Sequence, residues 1–216
     1  MSGFVVAVDG PAASGKGTIA GRLAQHYRLP FLDTGLLYRA VGLAVLAAGR
    51  SPSDAEAAEA AALALDASTL DPAVLGGRFA GEAASQVAAH PPVRRALLAL
   101  QQAFAAQPSG AVLDGRDIGT VIAPGAAAKI YVTAAPEVRA ERRWRQLTAK
   151  GETLTFDEML ADILRRDARD SGRASAPLEP APDAVLLDTS EMDISAAVDA
   201  ARRIVEAARA RWEKSH

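Results

Sequence analysis

The stretch Gly10-Pro11-Ala12-Ala13-Ser14-Gly15-Lys16-Gly17-Thr18 lies between an apolar run at residues 4–8 and a helical pattern at residues 19–26. Glycines let backbone N–H groups turn toward one point, and a helix that follows directly adds the positive end of its dipole. A strand, a glycine-rich turn and a helix in this order are typical of a phosphate-binding loop. The stretch therefore predicts an α/β fold with a polyphosphate site at the end of its first strand.

The side chains of this loop suit a nucleoside triphosphate that carries Mg²⁺. Lys16 can reach the β and γ phosphates, and the hydroxyl of Thr18 can contact Mg²⁺ or its waters. The commonest form of the motif has Ser or Thr directly after the Lys, whereas this chain has Gly17 there. We expect residues 10–18 to bind the triphosphate and Thr18 to contribute to the metal site.

The composition favours a single helix-rich domain over residues 1–216. Half of the residues are apolar but only 5% are aromatic, so alanine, a strong helix former, supplies much of the apolar character. The net charge of −2 gives no general attraction to nucleic acid or to an anionic membrane. We expect neither as a partner.

Cysteine is absent from the chain, which excludes disulfides, thiolate metal sites and cysteine nucleophiles. No apolar stretch approaches the length that spans a bilayer, and no basic segment or cleavage site precedes the first apolar run. These features suit a reducing compartment, and we expect a cytoplasmic protein.

Short apolar runs separated by helical patterns predict the sheet. They lie at residues 4–8, 30–32, 111–113, 129–132 and 184–187. Strands that alternate with helices form right-handed crossovers, which predicts a five-stranded parallel sheet with helices on both faces. Ligands of such sheets bind outside the carboxyl ends of the strands.

Acidic residues follow the first three predicted strands. They are Asp9, Asp33 and Asp114. One such residue is more often a helix cap or a turn residue, but three at the same edge of a parallel sheet favour a site. We expect Asp33 and Asp114 to hold Mg²⁺ through water, because this ion dehydrates reluctantly.

The segment between the second and third strands reads as an irregular insertion. Ser53 and Glu56 have capping-box spacing and predict a helix over residues 53–65. Residues 66–81, which contain several Gly and Asp residues, then lose this periodicity.

Several segments together resemble the nucleoside monophosphate kinases, and more narrowly the bacterial cytidylate kinases. The resemblance covers nearly the whole chain and rests on residues 9–18, 32–39, 84–89, 114–120 and 166–178. The phosphate loop is common to all such kinases. The runs Ser85-Gln86-Val87 and Gly115-Arg116-Asp117-Ile118-Gly119-Thr120 resemble the cytidylate group in particular.

The resemblance implies transfer of the γ-phosphoryl group of ATP to CMP or dCMP by a monomer. It also implies an acceptor-binding insertion at about residues 36–108 and a helical lid at about residues 148–176. Residues 66–81 are too few to build the small three-stranded sheet of longer family members. A uridylate or other small-acceptor kinase, or a nucleotide-binding switch without transfer, are the alternatives.

The resemblance assigns the acceptor site to residues that follow the second and third strands and lie within the insertion. Arg39 and Arg116 would face the acceptor phosphate, with Thr34 near the acceptor. Ser85, Arg94 and Asp117 would surround the pyrimidine. A carboxylate can accept from the cytosine amino group, while a guanidinium and a hydroxyl can donate to its ring nitrogen and carbonyl. Uracil reverses part of this pattern.

Arg166, Asp170 and Arg173 have i, i+4 and i+7 spacing, which places them on one face if their helix persists to Gly172. Such spacing alone is more typical of a solvent-exposed, ion-paired face. The resemblance instead makes them lid residues, with Asp170 at the ribose hydroxyls. Lys16, Arg116, Arg166 and Arg173 would stabilise charge on the transferring group.

Three arginines lie on the helix after the fourth strand. Of these we expect Arg142 to lie against the adenine or the phosphates of ATP. An ordinary surface helix accounts for Arg139 and Arg143.

Overall fold

Five parallel strands form the sheet of this protein in the computed structural model, which describes residues 3–215. They are β1 (Val5–Asp9), β2 (Phe31–Asp33), β3 (Ala111–Gly115), β4 (Ala128–Thr133) and β5 (Val185–Asp188). Their spatial order is β2-β3-β1-β4-β5, and each neighbouring pair is parallel. The predicted parallel sheet is confirmed. Each strand runs one or two residues beyond its apolar run, because backbone pairing continues through the polar residues at the strand ends.

Helices connect the strands. They are α1 (Lys16–Tyr27), α2 (Thr34–Ala47), α3 (Ala55–Leu63), α4 (Arg78–Val87), α5 (Pro91–Ala105), α6 (Pro136–Thr148), α7 (Phe156–Ser171) and α8 (Ile194–Trp212). Two 3₁₀ turns, Ala67–Thr69 and Val74–Gly76, and a π-helical turn, Ile118–Ile122, complete the regular structure. None of the described helices combines the length and the apolar character needed to cross a bilayer.

The side chains of β1 alternate between two apolar layers. Val6 and Val8 pack in a cluster with α1 and α8. Val5 and Ala7 pack in a second cluster with α5 and the π-helical turn. Helices therefore cover both faces of the sheet, which leaves its carboxyl edge for a ligand.

The segment between β2 and β3 is helical. It contains α2 to α5 and the two 3₁₀ turns, and no strand lies among its described residues. A cluster that includes Leu37 and Val41 of α2, Val87 of α4 and Leu97 of α5 gives it an apolar core of its own.

The predicted capping box at Ser53 is wrong. Helix α3 begins at Ala55, and its N-cap is Asp54 rather than Ser53; the carboxylate of Asp54 accepts from the backbone N–H of Ala57 at 3.1 Å. The hydroxyl of Ser53 instead pairs with that of Ser51 at 2.7 Å. Ser and Asp are both common N-cap residues, and here the carboxylate of Asp54 is the group that accepts a backbone N–H of the helix.

Helices α2 and α4 meet at a glycine. A Cβ at Gly42 would lie 2.7 Å from the Cβ of Ala83 and 2.9 Å from its carbonyl carbon. Because backbone atoms are among the neighbours, a side chain at this position forces the two helices apart.

We predict that Gly42→Ala lowers the free energy of unfolding by about 1–2 kcal/mol, because overpacking outweighs the gain in helix propensity. Urea denaturation followed by circular dichroism measures this change. Gly125→Ala is the matched control, since a Cβ there meets no atom within 4 Å. Equal stability of the two variants would contradict the close packing of α2 on α4.

Candidate active site

The loop between β1 and α1 has backbone conformations that favour glycine. Gly10 has a φ of 150°, and a Cβ there would lie 2.0 Å from the carbonyl oxygen of Val132. Gly15, the N-cap of α1, has a φ of 90°, and Ala13 also adopts the left-handed region with a φ of 60°. These turns bring the loop over the N-terminus of α1, where backbone N–H groups favour an anion.

Lys16 and Asp114 form an ion pair beside this loop. The Nζ of Lys16 lies 3.7 Å from Oδ1 of Asp114, and both side chains are largely buried. A Cβ at position 17 would lie 2.9 Å from Oδ2 of the same carboxylate. Gly17, the departure from the common motif, therefore leaves room for Asp114 next to the loop.

Burial shifts the pKa values of this pair toward the neutral forms. It lowers the pKa of Lys16, with a further contribution from the nearby Arg116, and it raises the pKa of Asp114. Asp33 is the register partner of Asp114 on the adjacent strand, so the two carboxyl groups follow strand ends that lie side by side. One oxygen of Asp33 also caps α2 by accepting from the N–H of Gly35 at 2.9 Å.

A cavity of about 1040 Å³ opens at this edge of the sheet. This volume is at the upper end for a site that binds one small ligand, which leaves room for two substrates. The charged lining residues in the described chain are eight basic side chains and five acidic ones. The basic residues are Lys16, Arg22, Arg39, Arg78, Arg116, Arg142, Arg143 and Arg166. In a chain whose net charge is −2, this excess of positive charge is local and suits a polyanion.

Asp170 of α7 connects several of the predicted acceptor residues. Its carboxylate, 1% exposed, accepts from Nε of Arg116 at 3.1 Å and from the hydroxyl of Ser85 at 3.0 Å, and pairs with Arg173. Burial alone would raise the pKa of Asp170, but the guanidinium groups of Arg116, Arg166 and Arg173 together lower it. The carboxylate is thus held in its charged form.

Helix α7 ends at Ser171, so the condition that the helix persists to Gly172 does not hold. Gly172 is the C-cap residue, and Arg173 lies outside the helix. The three charged groups meet nevertheless, because the chain beyond the cap returns Arg173 to the carboxylate of Asp170.

The predicted base-binding residues form a second buried group. Arg94 pairs with Asp117, and its guanidinium lies 5.6 Å from the centre of the Tyr38 ring. Thr34 donates its hydroxyl to the carbonyl oxygen of Asp114 at 2.8 Å. These side chains are paired with protein groups and, like those of Ser85, Asp170 and Arg173, do not line the cavity. Their assignment to the nucleotide stays a prediction.

Arg39 and Arg143 hold the 3₁₀ turn Val74–Gly76 from two sides. Arg39 donates to the carbonyl of Leu75 at 3.0 Å, and Arg143 donates to that of Gly76, also at 3.0 Å. Burial and the charge of Arg39 lower the pKa of Arg143 to about 10. The expectation that Arg143 belongs to an ordinary surface helix is wrong, since it lines the cavity.

Arg139 and Arg142 of α6 have different surroundings. Arg142 lines the cavity, and its guanidinium donates to Oγ1 of Thr189 at 3.0 Å and to the carbonyl of Thr189 at 2.6 Å. Contact of Arg142 with ATP stays a prediction. Arg139 is 4% exposed, so its assignment to a surface helix is also wrong. A helical pattern shows which residues share a face, but not which element packs against that face.

Asp9 has the capping role that a single acidic residue after a strand more often has. Its carboxylate is buried and accepts the backbone N–H groups of Ile118 and Gly119 at 2.8 and 2.7 Å. It thereby caps the π-helical turn that follows Arg116 and Asp117. Asp9 does not line the cavity, so it anchors residues of the site rather than facing a ligand.

Several buried polar atoms in the described structure have no hydrogen-bond partner, and they fit a bound triphosphate and metal. They are Oγ of Ser14, Oδ1 of Asp114 and Nε of Arg166, and all three residues line the cavity. Buried polar groups normally find partners, so unpartnered donors beside a phosphate loop suit phosphate oxygens. No set of three or more His, Cys, Asp or Glu residues in the described chain could hold a metal by itself.

Two solved structures share the fold of this chain. A crystal structure of a gluconokinase from Sinorhizobium meliloti 1021 superposes with a TM-score of 0.53 at 16% identity, over 99% of this chain and 98% of that one. An uncharacterized protein from Eubacterium ventriosum superposes with a TM-score of 0.55 at 12% identity, over 94% and 98%. At these identities the likeness concerns the fold alone, a parallel sheet with helices on both faces.

The family follows from the sequence matches. The cytidylate kinase family model matches residues 6–207. A cytidylate kinase of Caulobacter vibrioides is 68% identical over 97% of this chain and 98% of its own length, and one of Xanthobacter autotrophicus is 64% identical over 96% and 99%. The chain belongs to the cytidylate kinase family, and it is an enzyme of the nucleoside monophosphate kinase class.

We predict that Asp9→Asn changes how stability depends on pH. Burial raises the pKa of Asp9 from 3.8 to about 6, against the opposing effect of its two backbone hydrogen bonds. The contribution of Asp9 to stability is thus fully present below its unfolded pKa and is lost as pH rises through about 6. From about pH 4 to pH 7 the loss amounts to about 2 kcal/mol.

Chemical denaturation of both proteins across this pH range measures the effect as a difference. The unfolding free energy of the unmodified protein should fall by about 2 kcal/mol relative to that of Asp9→Asn. Parallel pH profiles would show that Asp9 does not titrate there.

Proposed function

We propose that this enzyme transfers the γ-phosphoryl group of ATP to CMP and dCMP, which yields ADP with CDP or dCDP. The observation that carries the proposal is one cavity with the phosphate loop and Lys16 on one side and Arg39, Arg116 and Arg166 among its other lining residues. Bringing two phosphate groups together requires cations between them. Family membership supports cytidine nucleotides as acceptors.

The transfer needs positioning and charge stabilisation more than acid–base chemistry. An oxygen of the acceptor phosphate attacks in line, and no covalent enzyme intermediate is required. Lys16 holds the β and γ phosphates, while Arg116, Arg166 and Arg173 stabilise charge on the transferring group. Guanidinium groups suit this task because they stay protonated and bind phosphate oxygens through two N–H groups.

We also propose that ATP binds together with Mg²⁺. Thr18, Asp33 and Asp114 would hold it, the two carboxylates through water. When bound, the ion neutralises phosphate charge and orients the oxygens of the triphosphate. Gly17 supports this assignment, because its missing side chain leaves space beside Asp114.

Base selection is assigned to Ser85, Arg94 and Asp117. Asp117 accepts from the cytosine amino group, while Arg94 and Ser85 donate to the ring nitrogen and the carbonyl. The Arg94–Asp117 pair supports this reading, because it holds an acceptor and a donor next to each other. Thr34 and Asp170 complete the acceptor site, with Asp170 at the ribose hydroxyls.

The insertion at about residues 36–108 and the lid at about 148–176 form the walls of the cavity. Their proximity is supported by ion pairs between α4 and α7, since Arg78 lies 2.7 Å from Asp162 and Arg169 lies 2.7 Å from Glu82. A lid held over the cavity excludes water and so limits ATP hydrolysis. Arg142 of α6 would contact ATP at the donor side.

We further propose that the enzyme works as a monomer in the cytoplasm, without a nucleic-acid or membrane partner. The net charge of −2 supports the lack of a nucleic-acid or membrane partner, because it provides no general attraction to polyanions. Light scattering of the purified protein tests the proposed monomer. The measured mass should be that of a single chain at all protein concentrations.

We predict that, with ATP and Mg²⁺ present, CMP and dCMP accelerate ADP formation at least about tenfold more than UMP, AMP or GMP do. The reason is that the hydrogen-bond pattern of cytosine fits the site. A coupled assay for ADP with each acceptor, and one without acceptor, measures this. A preference for another nucleotide would leave a kinase but overturn the base assignment. ADP formation that no acceptor changes would overturn phosphoryl transfer itself.

We predict that Lys16→Ala lowers kcat at least about 100-fold, because a preorganised charge on the transferring group is lost. Thermal unfolding monitors the fold. The matched control is Lys214→Ala, an exposed lysine near the C-terminus, which should retain full activity. Undiminished transfer by Lys16→Ala would refute the role of this lysine at the donor.

A further inference from the structure

Arg139 contacts three separate parts of the chain from a buried position on α6. Its Nε donates to the carbonyl of Ala134 at 2.8 Å, directly after β4. One terminal nitrogen donates to the carbonyl of Ala12 in the phosphate loop at 3.2 Å. Both terminal nitrogens donate to the carboxylate of Asp167 on α7, at 3.0 and 2.6 Å. The guanidinium therefore joins the phosphate loop to the lid helix.

The loop side of this contact is a carbonyl in a turn of unusual backbone conformation. Ala12 immediately precedes Ala13, whose φ is 60°. A left-handed alanine costs conformational free energy, so surrounding contacts must hold it. The N–H of Arg139 that binds the Ala12 carbonyl is one such contact.

The lid side of the contact lies next to a cavity residue. Asp167 follows Arg166 directly on α7, and Arg166 lines the cavity. Arg166 has a weak ionic contact of 3.8 Å with Asp170, and its Nε has no hydrogen-bond partner. Its position thus depends on where α7 lies. The two-point bond from Arg139 to Asp167 connects this helix to the phosphate loop, in addition to the apolar cluster that Ala12 forms with Met159 and Ile163.

We infer that Arg139 and Asp167 are positioning residues that place Arg166 relative to the phosphate loop for transfer. Neither residue lines the cavity. The two parallel hydrogen bonds restrict both the distance and the orientation of α7, which a single ionic contact would not do. This inference rests on the proposed phosphoryl transfer.

A double-mutant cycle on kcat tests the inference. Asp167→Asn preserves shape but removes the charge and one of the two acceptors. We expect it to lower kcat about tenfold in the unmodified protein and less than about twofold in an Arg166→Ala background, since residues that act through one another are not additive. Asp167→Glu, which restores the carboxylate, should recover part of the lost kcat.

The melting temperature separates positioning from a general loss of structure. Asp167→Asn should lower it equally in both backgrounds, whereas its effect on kcat should differ between them. Asp157→Asn is the matched control, because it makes the same change at an exposed position on α7 and should leave kcat unchanged in both backgrounds.

Two results would overturn the inference while the proposed function stands. One is an Asp167→Asn variant with unmodified kcat, and the other is an equal loss of kcat in both backgrounds. An unmodified protein that transfers phosphate to no acceptor would instead overturn the proposed function, and the inference with it.

Discussion

The parallel register of β1, β2 and β3 is the constraint on which the whole site depends. Val8 and Asp33 are both register partners of Asp114, so the carboxyl ends of three strands lie side by side. The chain that leaves these ends forms the phosphate loop, the start of α2 and the Arg116–Asp117 segment. Since apolar layers bury both faces of β1, the polar groups of the site collect at this edge.

The arginine side chains gathered at the site need carboxylates of the protein to balance their charge. Arg116 and Arg173 share the carboxylate of Asp170, Arg94 pairs with Asp117, and Arg139 pairs with Asp167. Each pair orients its guanidinium, and removal of one partner leaves a buried charge without compensation. The acidic residues that balance the charge of the site therefore also orient its guanidinium groups.

Sequence patterns predicted the parts of the fold that depend on neighbours in the chain. Five apolar runs, a glycine-rich turn and alternating helices suffice for a parallel sheet with a phosphate loop, because local chemistry sets strands, turns and caps. The pattern was misleading at Ser53, where the adjacent Asp54 is the better cap. It was also misleading at Arg139 and Arg143, because helical spacing does not reveal the partner of each face.

The sequence by itself determined the sheet, the loop at Gly10 to Thr18 and the family of the chain, because these follow from short-range order and from matching motifs. The tertiary structure decided which charges meet. Arg139 reaches Ala12, 127 residues away in the chain, and the carboxylate of Asp9 caps a turn that begins at Ile118, 109 residues away. Such contacts depend on how helices and strands pack in three dimensions, and the spacing of residues along the chain does not reveal that packing.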